Sequence, residues 1–310
     1  MRMTRLIAVL STMAILLAAC GGTGGGASKA DIRIGSDDFY ESKLMAEIYS
    51  QVLENAGYKV TRNFGLGQRP ARAPAFEQGQ VDLVPEYVGS GVGFYDITKQ
   101  TGDGEENRAA LQAVMDTKGP DGGKLATVLA ITPGQDQNAA VVRPDTASQY
   151  NLTKMSDLAA VQDELSWGLP PDCDKNPTCK GALEKYGITY PPKKRTELAA
   201  CDAPIAEALK GKAVDFAWLC STQPAILVNG FTRLEDDLKT QPADNVAPLV
   251  RQDYLSKVDA TAFAALLDAA SAKMTTDELL RLGVEVAVNN RDVKEVAAEW
   301  LTANGLLTSQ

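Results

Sequence analysis

The passage from Ile32 to Val60 changes its hydrophobic period twice, and few folds accommodate that. Ile32 and Ile34 alternate with polar neighbours and end at Gly35, which reads as a short strand. Ser36, Asp37 and Asp38 follow as N-cap residues, and Leu44, Met45, Ile48, Val52 and Leu53 then fall at helical spacing. Gly57 stands where a left-handed residue would close the helix, and Tyr58-Lys59-Val60 begins another strand. Strand, loop, helix and strand in this order build a parallel sheet, whose loops gather at its carboxyl edge, where such sheets bind ligands. The pattern recurs with Val81–Val84 as a strand, Pro85 stopping it, and Glu86 and Tyr87 on the edge. Gly89, Gly91 and Gly93 are then expected in a turn. The two loops should converge on one crevice carrying Asp37, Tyr40, Tyr87 and Ser90.

Further along, the spacing predicts a helix over Glu105–Lys118, strands over Leu125–Ile131 and Ala139–Val142, and turn or helix over Thr146–Tyr150 and Met155–Ala160. A helix at Pro204–Lys210, a turn at Gly211 and a strand at Val214–Leu219 lead into Ser221-Thr222-Gln223-Pro224, mirroring the earlier edge. Amphipathic helices over Phe263–Met274, Thr276–Leu282 and Val293–Asn304 finish the chain, with Thr275 and Thr276 at an N-cap position and Trp300 and Leu301 in the core. A chain of 310 residues exceeds one comfortable core. No long linker divides it, so two lobes joined by crossover strands are expected, with hinges near Thr132–Gln135 and Gln241–Asn245.

The N-terminus reads as an export signal. Arg2 and Arg5 precede an apolar run from Leu6 to Leu17, too short to span a bilayer, and Leu17-Ala18-Ala19-Cys20 has the small-residue character of a cleavage site. A cysteine in that place resembles the lipobox of bacterial lipoproteins, which makes Cys20 the expected lipid anchor and residues 1–20 a lipoprotein signal peptide. Glycines dominate the next residues, so 21–30 is read as a flexible tether. The mature chain is then expected outside the cytoplasm, on the outer face of the cell membrane or in a periplasm, touching the membrane through that anchor only.

A net charge of −9 disfavours nucleic acid as a partner and mildly favours a cationic or zwitterionic solute. The four cysteines beyond Cys20 suit disulfides in an exported chain, and three pairings are possible. Cys173–Cys179, closing the proline-flanked loop PPDCDKNPTC, with Cys201–Cys220, is the preferred one. Zinc is the competing use, but the chain has no histidine and no C-x-x-C spacing. Lack of histidine also removes the usual general base and every Ser-His-Asp or Cys-His arrangement. The glycine series lacks the dinucleotide fingerprint, and Asp82 with Glu86 is a poor carboxylate pair across Pro85. No enzyme, cofactor or metal site is expected.

GSDDFYESKLMAEIYSQVLENAGYKV at 35–60, FGLGQRPARAPAFEQGQVDLVPEYVGSG at 64–91, GQDQNAAVV at 134–142 and DFAWLCSTQPAI at 215–226 together resemble the substrate-binding proteins of osmoprotectant ABC importers. The resemblance runs over about residues 31–307. It implies an α/β, two-lobed fold of the periplasmic-binding-protein type II, with two hinge crossover strands and a ligand cleft between the lobes. Lobe 1 would take 31–134, lobe 2 135–243, and 244–310 would return to lobe 1. It further implies a monomer that captures glycine betaine, choline or carnitine and delivers it to an ABC permease. Aromatic faces hold a quaternary ammonium that cannot donate hydrogen bonds.

On that resemblance Tyr87 matches the cage tyrosine, Ser90 a hydroxyl three positions later, Asp136 an acid facing the cation, and Ser221 with Thr222 the Ser-Thr pair of the second lobe. Asn138 stands where many members carry a second cage aromatic, and Gln241-Pro242-Ala243-Asp244 replaces a proline-tyrosine segment. Asp37 and Gln223 also depart from the usual residues. These departures imply an alternative: the same fold and transport role with a non-quaternary ligand. Tyr40 and Trp218 are the aromatics that could complete the cage, Trp218 being equally readable as core. Arg69 is read as taking a ligand carboxylate or pairing with Glu77.

Overall fold

Among the described residues, 29–307 of a computed structural model, ten short strands sort into two sheets. β1 (Ile32–Gly35), β2 (Val60–Asn63), β3 (Leu83–Tyr87) and β4 (Ala126–Val128) belong to the first sheet. β5 (Asn138–Val142), β6 (Trp167–Leu169), β7 (Arg195–Glu197), β8 (Phe216–Cys220) and β9 (Thr232–Arg233) make the second, and β10 (Val246–Arg251) returns to the first. The orders β2-β1-β3-β10-β4 and β7-β6-β8-β5-β9 follow one plan. In each, three parallel strands meet an antiparallel strand that begins at a crossover. The predicted signal peptide, Cys20 and most of the predicted tether lie outside the described residues.

Each sheet is buried by its own helices. α1 (Tyr40–Asn55) turns Leu44, Met45, Ile48 and Leu53 into a core shared with Phe263, Leu267, Trp300 and Leu301 of the C-terminal helices. The second sheet packs Trp167, Phe216 and Trp218 against Leu158, Leu183 and Ile188. Gly57, at φ +87°, occupies the left-handed region that the helix end required. Thr275 caps its helix by accepting from the Glu278 amide. Both preferred disulfides form, Cys173 with Cys179 and Cys201 with Cys220.

Three local expectations are corrected. Pro85 does not stop its strand: β3 runs on through Glu86 and Tyr87, with Pro85 facing Pro248 on β10. The glycine-rich segment is no turn but helix α3 (Val88–Asp96). There Gly89 is needed, because a Cβ would collide with the Ala243 carbonyl oxygen of the second crossover. The N-cap of α1 is Phe39, without a side-chain cap bond, so Ser36, Asp37 and Asp38 do not cap it. Asp37 instead turns inward to Arg72 on α2 (Arg69–Glu77).

The two crossovers, 129–137 and 234–245, lie side by side. Thr132 and Val246 exchange a pair of bonds, the Thr132 amide donating to the Val246 carbonyl at 2.8 Å and the Val246 amide to Oγ1 of Thr132 at 3.0 Å. The Asn245 side chain donates to the Thr132 carbonyl at 2.9 Å, and the Asp136 amide donates to the Asp244 carbonyl at 3.0 Å. Backbone bonding therefore brings Asp136 and Asp244 together where the two lobes meet.

Candidate functional site

The ends of β1 and β3, the start of α1 and the two crossovers enclose a cavity of about 140 Å³. Asp37, Phe39, Gln68, Arg69, Tyr87 and Ser90 form its wall on the first sheet, and Asp136 and Asp244 close it from the crossovers. Ser90, Asp136 and Asp244 also line a larger cleft of about 820 Å³ between the lobes. Ile97, Thr98, Gln100, Thr101 and Gly102 form one side of that cleft; Asn138, Asn176, Pro177, Thr178 and Lys239 form the other.

Two rings meet at a corner of the small cavity. Phe39 and Tyr87 lie 5.7 Å apart between centroids at 46°. Tyr87 is only 4 % exposed, and its hydroxyl donates to Oε1 of Glu41 at 2.6 Å. Burial and the neighbouring Glu41 and Asp136 charges hold that phenol well above its ordinary pKa, so it remains a donor. Tyr40 donates across the lobes to the Thr222 carbonyl at 3.3 Å.

Beneath the rings lies an ionic network. Arg72, fully buried, reaches Oδ1 of Asp37 at 2.8 Å and Oε2 of Glu86 at 2.6 Å, while Arg69 reaches Oε1 of Glu86 at 2.8 Å. Burial pushes the Glu86 carboxyl up, but Arg72 and Arg69 more than reverse this, leaving it below its ordinary value. At Asp37 burial outweighs Arg72 and the pKa is raised, so the Arg72 charge is spent mainly on Glu86.

Three further acids have no such partner. Among the described residues, no lysine or arginine forms an ion pair with Glu41, Asp136 or Asp244. Asp244 accepts from the Ser90 amide at 2.8 Å and from the Ser90 hydroxyl, yet burial pushes its carboxyl up to about 7. Burial likewise raises Glu41 and Asp136, and the negative charges of Asp136 and Asp244 raise Glu41 further. Oε2 of Glu41 and Oδ1 of Asp136 are buried and accept no hydrogen bond. A site of this kind attracts a cation by Coulomb force in a partly desolvated space.

The structure sorts the residues singled out from the sequence. Tyr87, Ser90, Asp37, Asp136 and Arg69 line the small cavity; Asn138 faces the larger cleft and donates to Oε1 of Gln241 at 3.3 Å. Tyr40 and Thr222 join the lobes beside it. Ser221 does not face the cavity: its hydroxyl donates to the Gln135 carbonyl at 2.8 Å and accepts from the Gln137 amide, pinning the first crossover. Trp218 belongs to the second-lobe core, edge-on to Phe216 at 5.4 Å, and borders a separate recess with Pro170 and Ala200. Arg69 pairs with Glu86, not Glu77, and Asp82 is held by Arg33 at 2.6 Å. No group of three or more metal-ligating side chains occurs among the described residues.

Phe39, Glu41, Gln68, Arg72, Glu86 and Asp244 complete the site without having been singled out as ligand residues. Phe39 had a signal, being an aromatic next to Tyr40 at the strand–helix junction. Glu41 had none, since a first-turn acid is the ordinary solvent-exposed device at a helix start.

One protein family, described as the substrate binding domain of ABC-type glycine betaine transport system, matches residues 30–303. A glycine-betaine-binding protein of Pseudomonas aeruginosa is 27% identical over 307 residues, covering 94% of each chain. The glycine betaine-binding protein YehZ of Escherichia coli is 28% identical over 287 residues, 88% of this chain and 90% of that one. The solved structure of apo YehZ from the same organism superposes with a TM-score of 0.77 at 24% identity, over 89% of this chain and 99% of that one.

Proposed function

The chain belongs to the family of substrate-binding domains of ABC-type glycine betaine transport systems, and we propose that its interlobe cavity binds a small quaternary-ammonium solute against the corner made by Phe39 and Tyr87. It is a solute-binding transport protein and not an enzyme, working outside the cytoplasm. The observation that carries the ligand reading is the tilted Phe39–Tyr87 ring pair set beside acids that no cation neutralises. Ring faces contribute roughly 0.5–2 kcal/mol each to a desolvated cation. Phe39 supplies a wall that Asn138 cannot, which removes the main reason for the non-quaternary alternative.

In this reading Tyr87 and Phe39 are the cage, Asp136 the facing acid, and Ser90 the residue that fixes Asp244. Tyr40 and Thr222 are a latch between lobes that move on the crossovers, lobe 1 being 31–134 with 244–310 and lobe 2 being 135–243. The loaded protein docks as a monomer on a permease. Titration calorimetry with glycine betaine, choline and carnitine should find at least one binder at micromolar dissociation constant or tighter. Tyr87→Ala should weaken it by about 1–2 kcal/mol. A flat response to every quaternary ammonium would overturn the reading.

Anchoring through Cys20 is the second part of the proposal, supported by Leu17-Ala18-Ala19-Cys20 and the glycine-rich residues after it. Detergent-phase partition of the protein from its host should depend on Cys20. A Cys20→Ser form that still partitions with the membrane would rule the anchor out.

A further inference from the structure

The charges and donors at the cavity are unevenly spent. Both guanidinium groups within reach, Arg69 and Arg72, are engaged by Glu86 and Asp37. The Tyr87 hydroxyl is engaged by Glu41, the Ser90 hydroxyl by Asp244 and the Tyr40 hydroxyl by the Thr222 carbonyl. That leaves Nη1 of Arg69, whose charge Glu86 already balances, and the neutral Gln68 amide as the lining donors for an anionic group on a ligand. Asp136 and Asp244, by contrast, reach the cavity from the two crossovers, and Glu41 of α1 stands behind Tyr87 within electrostatic reach of both; among the described residues none of the three has a lysine or arginine as ion-pair partner. Glu41 is 2 % exposed, and its Oε2, like Oδ1 of Asp136, is a buried acceptor with no donor. A trimethylammonium group balances the charge but cannot donate to these oxygens; a hydroxyl can. A ligand carboxylate can do neither, and meets like charge.

We propose that this site prefers a net cation bearing a hydroxyl, the chemistry of choline, over a zwitterion such as glycine betaine, and that Glu41, Asp136 and Asp244 are the residues that set the preference. The inference rests on the quaternary-ammonium reading above and narrows it. It carries a second consequence. The groups facing the trio are Tyr87 from β3, Tyr40 from α1, Arg69 from α2, Ser90 from α3 and Thr222 after β8, and of these only Arg69 is charged. Protons therefore do part of the neutralising near pH 7, and a bound cation displaces them into solvent. Capture of the cation releases protons and tightens as pH rises, while capture of the zwitterion does so less.

The experiment is calorimetry on the mature chain with choline and with glycine betaine, at pH 5.5 and 7.5, in two buffers of different ionisation enthalpy. Choline is expected to bind at least tenfold tighter than glycine betaine at pH 7.5 with net proton release, and the ratio is expected to shrink at pH 5.5. Glu41→Gln and Asp136→Asn should each shrink it at pH 7.5, mainly by weakening choline. The pH comparison needs no variant, so a variant that fails to fold does not shield the proposal. Glycine betaine binding as tightly as choline at pH 7.5 would overturn the preference while leaving the quaternary-ammonium reading intact. Absence of binding by both would overturn that reading as well. A ratio unchanged by pH and by the two substitutions would remove the three acids from the role assigned to them.

Discussion

Arg72 shows how much one side chain in this site does. Its guanidinium is 1 % exposed and bridges Asp37 to Glu86, so the loop after β1 and the end of β3 are tied together through a single buried cation. Replacing it with Met keeps the apolar stem but leaves two carboxyls facing each other without water, and breaking a buried pair in this way costs about 3–5 kcal/mol. Denaturant unfolding of Arg72→Met should show a loss of that size at pH 7, and the loss should diminish at pH 4, where protons take the place of the cation. A loss below about 1 kcal/mol at pH 7 would mean the network is not rigid. The same residue marks a limit of reading from the sequence. Asp37 looks like a cap because Asp before an apolar helical run usually is one; only the position of Arg72, 35 residues on, makes it a buried ion-pair acid. Tyr87 is readable from its place at a strand edge and Asp136 only from the family resemblance, and both line the small cavity. Glu41 and Asp244 were not legible, since nothing local distinguishes a buried unpaired acid from a solvated one.

At the scale of elements, the close contact between α3 and the second crossover decides where the acids sit. Gly89 lets the helix backbone lie against the Ala243 carbonyl, and the Ser90 amide and hydroxyl then reach Asp244. A methyl at position 89 would force α3 off the crossover, and overpacking of this kind costs about 1–3 kcal/mol. Gly89→Ala should therefore lower the melting temperature and weaken ligand binding together, because Asp244 loses the donors that aim it. Unchanged affinity in a destabilised Gly89→Ala protein would show that Asp244 is placed by the crossover alone. The glycine series was read as a turn because glycine favours turns when only neighbours in sequence are considered. Here long-range approach of two backbones explains it. Pro85 misled for a related reason. A proline lacks the amide that a ladder uses, but at Pro85 the facing residue on β10 is Pro248, so neither strand needs a donor there. The parallel strand–helix–strand unit and the terminal amphipathic helices, whose apolar periods reflect burial on one face, were readable directly.

For the whole molecule, the trio of acids couples stability to pH in a direction opposite to that of ordinary surface carboxylates. Burial raises Asp244 to about 7, from an ordinary value near 4, and raises Glu41 and Asp136 as well. A carboxyl whose folded pKa lies above its unfolded one holds its proton more tightly when folded. Its contribution to stability is complete below about pH 4, is lost progressively as pH rises because the unfolded chain ionises first, and is gone above the folded value. For Asp244 alone the loss between about pH 4 and 7 amounts to roughly 4 kcal/mol at most. Glu86, whose pKa is lowered by Arg72 and Arg69, works the other way, but only as pH falls through the carboxylate range. The ligand-free protein should thus melt highest near pH 5 and progressively lower toward pH 8. Because the acids come from α1 of one lobe and from both crossovers, ionising them also presses on the junction where the lobes meet. A bound cation balances the same charges, so in saturating ligand the melting temperature should change far less over this interval, and the stabilisation by ligand should grow with pH. Differential scanning calorimetry from pH 5 to 8, with and without choline, measures both slopes. A ligand-free melting temperature that rises over that interval would show that the three carboxyls are ionised at no cost, and the electrostatic account of the cleft would fail with it.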